Sequence, residues 1–583
     1  VIDSVSDLPS IRAGEIARIV ESGKLQEQFR AGPGSRIELN GGRIEEAFHA
    51  IGAEVVINEG RVARRMKAFD GTLVTLRGGV IVNNNDFYSN TTLNVEGGEV
   101  GGVSMLAGST LNVSDGQVLN AVGEESSTIN VSSGLVNRVS TSGGTINVMG
   151  GSIVDSLDAI NNGIAVFAGG SHTDNISFRG ARMEVRGSEF RVNGVPLPIA
   201  LQLGDTTSVD LTEDTTFSGV YTDGTPFVFH GKQEDIRSAI TVVESPVAAP
   251  GPLLLRVPSD PVPPGLRDRQ ILLLDDGGEL PRNFTAGEGS TLLVQGGNVG
   301  DDLEIVGATV NATGGEFRTI DAFTGAVLNL GGDAVWNGLD LFSDAVATVS
   351  GGQYTGNNFF RVEDGATLHI SGGELRGDVQ VDESFINVTE GQLEGIRLFH
   401  FSTGIITGGN LDGVGLLSGS HLLATGGTIN GISTTIGDSD LEGVATTTAT
   451  VDGATVASLR SAPFTEITVL SGIAGDTNVT RQGGNLKFFG GALDDSHQWQ
   501  AGSVEINGYD FQVNGNPVVA LQNEGDSIQF QYEPGTSLTG TMADGTPFNL
   551  SPNDNFNNIL IADGVLTLIQ SALATQPSTV TVP

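Results

Sequence analysis

No cysteine occurs among the 583 residues, which excludes a disulfide scaffold, cysteine-ligated zinc or iron–sulfur centres and any thiol nucleophile. Lysine is nearly as scarce, with Lys24, Lys67, Lys232 and Lys487 the only four. With 29 basic against 69 acidic side chains the formal charge is −40. Without clustered cations there is no counterion release to drive binding to nucleic acid or to an anionic membrane surface. No run of about 20 apolar residues is present, so no transmembrane segment is expected. The chain starts at Val1 with no signal-like apolar block behind it, the pattern of a processed or trimmed chain. The seven histidines (His49, His172, His230, His369, His400, His421, His497) fall in no H-E-x-x-H or other metal spacing. G-x-S-x-G elbows and P-loops are missing too, so no catalytic residue is expected.

What the sequence has in excess is glycine, 84 residues, about twice the usual ~7%. Glycine punctuates a repeat of form T-[LI]-N-V-x-x-G, seen at Leu93–Val95 before Gly97 and Gly98, Leu111–Val113 before Gly116, Ile129–Val131 before Gly134, and Ile146–Val148 before Gly150 and Gly151. The marker glycine, or the residue in its place, recurs at 42, 60, 79, 98, 116, 134, 151, 170 and 188, in steps of 17 to 19. Such constancy means one coil of a solenoid per repeat.

Within a coil the apolar positions keep the spacing 0, 2, 7, 10, as in Leu93, Val95, Val100, Val103, in Ile386, Val388, Leu393, Ile396 and in Leu422, Ala424, Ile429, Ile432. Positions 0 and 2 share one face of an extended strand, and position 7 lies past a glycine turn. Helical spacing is absent from the repeat. A left-handed hexapeptide solenoid would place aliphatics at 0, 6 and 12, which the pattern fails, and parallel crossovers favour the right hand. The expected fold is all-β: two tandem right-handed parallel β-helices of about 18 residues per coil, each closed by a small β cap.

The tandem arrangement rests on internal duplication. FRAGPGS from Phe29 returns as FTAGEGS from Phe284, and FRVNGVP from Phe190 and DGTPF from Asp223 return from Phe511 and Asp544. The second copy is the longer, with twelve markers against nine. The expected boundaries are 1–36 for an N-terminal segment, 37–188 for the first β-helix and 189–245 for its cap. A Pro-rich linker at 246–283 precedes the second β-helix at 284–509, with a cap and tail at 510–583. Around Ile11, Ile16, Ile19 and Val20 a short amphipathic helix is expected to lie over the first coil. Seven prolines between Pro246 and Pro264 predict a stiff linker.

GSTLNVSDGQV from Gly108 and TINVMGGSIV from Thr145 resemble the GS-x-x-N-[IV]-S-G-G-x-[IV] arrays of repeat-rich bacterial exoproteins, many of them of the PEP-CTERM-sorted type. The caps, with L-[TS]-G-x-x-x-DGTPF, are similar to segments of the same proteins. The resemblance covers most of the chain and implies secretion and a structural or adhesive role at the cell surface or in the extracellular matrix. No specific activity is implied. The PEP-CTERM signal itself is not in the sequence.

The candidate residues follow from this frame. Asn94, Asn112, Asn130 and Asn147 stand between inward aliphatics and so face outward, stacking into a ladder of amide hydrogen bonds. Asp438, Asp440 and Glu442 alternate along the longest coil, and hard oxygens on one extended face would suit Ca2+. His497 and Trp499 could stack on a sugar or fill a capping coil. Arg61, Arg64, Arg65 and Lys67 form the only basic cluster, within a 67-residue segment of ten basic and ten acidic residues. That cluster is a candidate docking surface through which copies would associate head to tail. A polysaccharide-degrading or carbohydrate-binding β-helix is the competing expectation, with surface glycans as partners. Most first-copy coils are too short to wall a deep cleft.

Overall fold

The computed structural model describes residues 1–173, 175–197, 201–356, 360–434, 446–479, 484–493, 497–499, 502–530, 535–550, 560–561 and 565–572. Every regular element among them is a strand. The chain forms a parallel β-solenoid in which successive coils pair in register. Contacts divide it into two compact units, residues 1–273 with 279–292 and 300–309, and the remainder.

One coil shows why the sequence winds this way. In strand Thr92–Met105, Leu93 and Val95 point inward from the first side, Val100 from the second, and Val103 and Met105 from the third, all at most 2% exposed. Each side pairs in parallel with the same side of the next coil: Leu93 with Leu111, Val100 with Val118, Val103 with Ala121. The inner stack continues through Ile129, Ile146, Ala165 and Met183. The spacing 0, 2, 7, 10 is therefore the inward set, with a fifth member at position 12, as in Met105 and Leu398. A one-residue slip would turn every one of these side chains to water, which is what fixes the coil length.

The corners have separate chemistry. Where the first side turns into the second, Gly98, Gly116, Gly134 and Gly151 all have φ between 73° and 77°. A Cβ at Gly98 would meet the Gly79 carbonyl oxygen of the coil before at 2.5 Å, and one at Gly116 the Gly98 oxygen at 2.5 Å. Glycine is required there twice over, by backbone conformation and by the closeness of the next coil. At the corner leading back to the first side, a buried hydroxyl bonds the carbonyl three residues earlier: Ser35 to Gly32, Thr72 to Phe69, Ser109 to Leu106 and Ser127 to Glu124, at 2.6 to 2.7 Å. Each of these carbonyls also accepts the backbone N–H of the same Ser or Thr, so the hydroxyl is itself satisfied in the buried corner and reinforces the turn.

Two expectations are corrected. The N-terminal segment has no capping helix: Ile16–Leu25 is a strand, Ile2 bridges Ile19, and Val5 and Ser6 pair in parallel with Lys24 and Leu25. The inward residues are Ala17, Ile19 and Leu25, whereas Ile16 is 53% exposed. The helix-like spacing of Ile11, Ile16, Ile19 and Val20 thus mixes the two faces of strand Ile16–Leu25 with Ile11 from the separate strand Ser10–Ile11. The proline-rich stretch 246–283 is not simply a linker, because it carries strands Leu254–Val257, Gly265–Leu266, Ile271–Leu274 and Glu279–Leu280. Gly265 and Leu266 pair in parallel with Thr285 and Ala286, so coil structure resumes within it.

Each unit has the same cap. After strand Arg182–Val192, hairpin strands Thr216–Tyr221 and Pro226–His230 pair antiparallel across an Asp-Gly turn, and Ile240–Glu244 continues the first side of the coil. In the second unit Ser503–Val513, Leu538–Met542, Pro547–Leu550 and Val565–Gln570 repeat the arrangement.

Candidate functional site

The outer face of the first side carries polar ladders. Asn112 Nδ2 donates to Asn94 Oδ1 at 2.9 Å, Asn130 to Asn112 at 2.8 Å and Asn147 to Asn130 at 2.8 Å. Asn58 to Asn40, and Asn329 to Asn311, do the same. Nearer the N-terminus charges take their place: Arg18 and Arg36 both reach Glu38, and Arg36 also reaches Glu54. The Arg18 hydrogen bond, with Arg36 beside it, holds the Glu38 carboxyl below the ordinary carboxylate range. These pairs are solvent-exposed and order the surface more than they stabilise it.

The repeated DGTPF segment fastens each cap to its solenoid. Asp223 Oδ2 accepts from Gly170 N at 2.8 Å, and its backbone N donates to Ala168 O. In the other copy Asp544 Oδ2 accepts from Gly491 N at 2.9 Å, and its N donates to Phe489 O. The Asp thus seats on the glycine corner of a coil, while its Oδ1 accepts from the Thr two residues on. The sequence displays both halves of this latch, DGTPF and the glycine pair. Only the shared separation of 53 residues links them.

The first cap is filled with aromatic rings. His172, 4% exposed, stacks on Phe229 at 4.5 Å and meets Phe167 edge-on, while Tyr221 stacks on Phe227 at 4.4 Å. Burial lowers the His172 pKa to about 4. Burial, with Lys232 nearby, does the same for His230. Both rings are therefore neutral at pH 7, and His172 is a member of the aromatic cluster. Beside His230, buried Glu234 accepts from the His230 backbone N at 2.8 Å, and Thr216 pairs with His230 across the hairpin.

The other expected residues fall as follows. His497 and Trp499 point inward, 5% and 2% exposed, and both contact Thr477 Oγ1, at 2.8 and 3.1 Å. They fill a coil and present no face to a sugar. Arg61, Arg64 and Arg65 are exposed. Lys67 is drawn back to Asp86 at 3.3 Å and Tyr88 at 3.4 Å, and those hydrogen bonds raise its pKa. Asp438, Asp440 and Glu442 lie outside the described residues, and no group of three potential ligands able to hold a metal occurs among the described ones.

A cavity of about 520 Å³ indents the outer wall of the second unit, where Gly395, Gly413 and Gly431 mark the bend from the second side to the third. Asp378, Arg397, Asp412 and Arg460 stand around it, with Phe399 and Leu417 along the third side. Sequence reasoning missed this groove, although the recurring Gly-[IV] of LEGIRLF, LDGVGLL and INGISTT was its signal. Comparison of the chain with protein-family models, curated proteins and solved structures returns no match.

Proposed function

We propose that this protein is a secreted, non-enzymatic structural or adhesive component of the cell surface or extracellular matrix, its β-solenoids acting as rigid spacers. The observation that carries the reading is the unbroken parallel register from coil to coil, Thr92 to Thr110 to Thr128 to Thr145 and onward. Each coil is held by backbone hydrogen bonds on three sides, and that cross-linking makes a stack stiff. The resemblance to repeat-rich exoproteins supports secretion. Fractionation of the producing cells tests it directly: recovery from the surface or matrix is expected, and recovery only from the cytosol would overturn it.

Head-to-tail association belongs to the same proposal. Exposed Arg61, Arg64 and Arg65 lie in a segment of zero net charge on a chain of −40. An end that meets an acidic flank makes a heterologous contact that need not close. Light scattering should show assemblies at low salt that dissolve at 1 M, where the Debye length is about 3 Å. A monomer under all conditions would remove this part. The carbohydrate reading draws on the groove at Gly413. Release of reducing ends from a polysaccharide panel, abolished by substituting Asp378 or Asp412, would replace the non-enzymatic proposal.

A further inference from the structure

Two of the groove's glycines are not required by the backbone. The corner glycines Gly409 and Gly427 have φ of 87° and 82°, and a Cβ at either would meet the previous coil at 3.1 and 2.8 Å. Gly413 and Gly415 lie outside the left-handed region; a Cβ at either would meet nothing nearer than 3.8 Å. Side chains there would be free of strain and would reduce the entropy of the unfolded chain. Their one local effect would be to fill the groove. Gly413 sits at the bend, but Gly415 lies within strand Val414–Leu416, where a glycine with no bulge or packing reason leaves the backbone open to close approach.

The neighbouring column defines the size of that space. Outward residues on the third side run Gln380, Arg397, Gly415, Ser433, Arg460, Asn478 in register. The long polar side chains lapse for two coils and leave a notch with a guanidinium at each end. Three coil steps separate Arg397 from Arg460, about 14 Å at ~4.8 Å per coil.

We infer that this notch binds a short run of sugar rings, about three at one per coil, within a neutral linear polysaccharide. The inference gives the adhesive part of the reading above its partner and rests on it. Phe399 and Leu417 offer an apolar strip to the C–H face of a pyranose. Arg397 is ion-paired with Asp378, and the rim supplies donors from Arg460 and the remaining N–H groups of Arg397 and an acceptor from Asp412. Mixed rim charge on a chain of −40 suits hydroxyls and repels a polyanion.

Affinity electrophoresis of the full chain in xylan, glucomannan, starch-type glucan and polygalacturonate tests it. The wild type should be retarded by at least one neutral polymer and not by polygalacturonate. Gly413→Leu with Gly415→Leu should weaken retardation at least tenfold while melting no lower than the wild type. Arg460→Ala, which leaves the backbone alone, should weaken it several-fold. Retardation of the wild type that persists undiminished in these variants overturns the notch and leaves the adhesive reading standing. A wild type retarded by none of the neutral polymers overturns the inference; the spacer reading is judged separately by where the protein is found.

Discussion

Glycines of identical φ do different work in this molecule, and the difference is measurable. Gly98 and Gly108 have φ of 73° and 75°. A Cβ at Gly98 would collide with the previous coil at 2.5 Å, whereas at Gly108 the nearest atom is 4.0 Å away. Gly108→Ala should cost only the left-handed backbone penalty, about 1 kcal/mol, and Gly98→Ala about 3 kcal/mol or more, because the coils must also part. Urea melts of the two variants check the ranking; equal costs would mean the coil contact is looser than described. His172 gives a pH prediction. Its folded pKa of about 4 is depressed below the ordinary 6.5, so the unfolded chain takes up a proton that the folded one refuses. Stability is then full above pH 6.5 and falls as the pH drops towards 4, by up to about 3 kcal/mol. His172→Leu, which copies Leu493 at the corresponding place in the second unit, should remove about half of the slope over that window, the similarly depressed His230 supplying the rest. An unchanged slope would place the acid sensitivity elsewhere.

At the scale of the coil, insertion and deletion should obey whole units. Removing Thr110 to Ser127, one full coil in the register Thr92, Thr110, Thr128, should leave a folded protein with little change in melting temperature. Removing half of it should abolish cooperative melting, since half a coil misplaces every inward residue that follows. Circular dichroism of the two deletions distinguishes a solenoid from independently folded modules. The coil was legible because its inward set recurs without exception across the quoted repeats. The terminal elements were less so. One strand showed its two faces as Ala17 with Ile19 and Ile16 with Val20, a spacing that imitates a helix. Prolines from 246 to 264 masked strands that begin at Leu254, because proline is tolerated at coil corners as well as in linkers. The aromatic core of the first cap and its less aromatic counterpart, which keeps Phe511 and Phe548, share one backbone. Tyr221 and Phe217 give way to Met542 and Leu538, all fully buried, so composition concealed what the DGTPF latch reveals.

For the whole molecule the charge distribution and the duplicated latch were readable in the sequence, and the groove was not. A periodic glycine signals a corner by default, and only coordinates separate a glycine that must be small from one that leaves room. The central claim is that both units are stacks in which distance counts coils and not residues. The absence of native cysteine allows spin labels to be placed at will. Labels at 92 and 182 and labels at 346 and 448 each span five parallel registers. The residue separations, 90 and 102, differ because the second pair encloses longer coils. Pulsed electron spin resonance should return the same narrow distance for both, about 24 Å at ~4.8 Å per coil. Broad distributions, or a distance that grows with residue separation, would contradict the rigid solenoid.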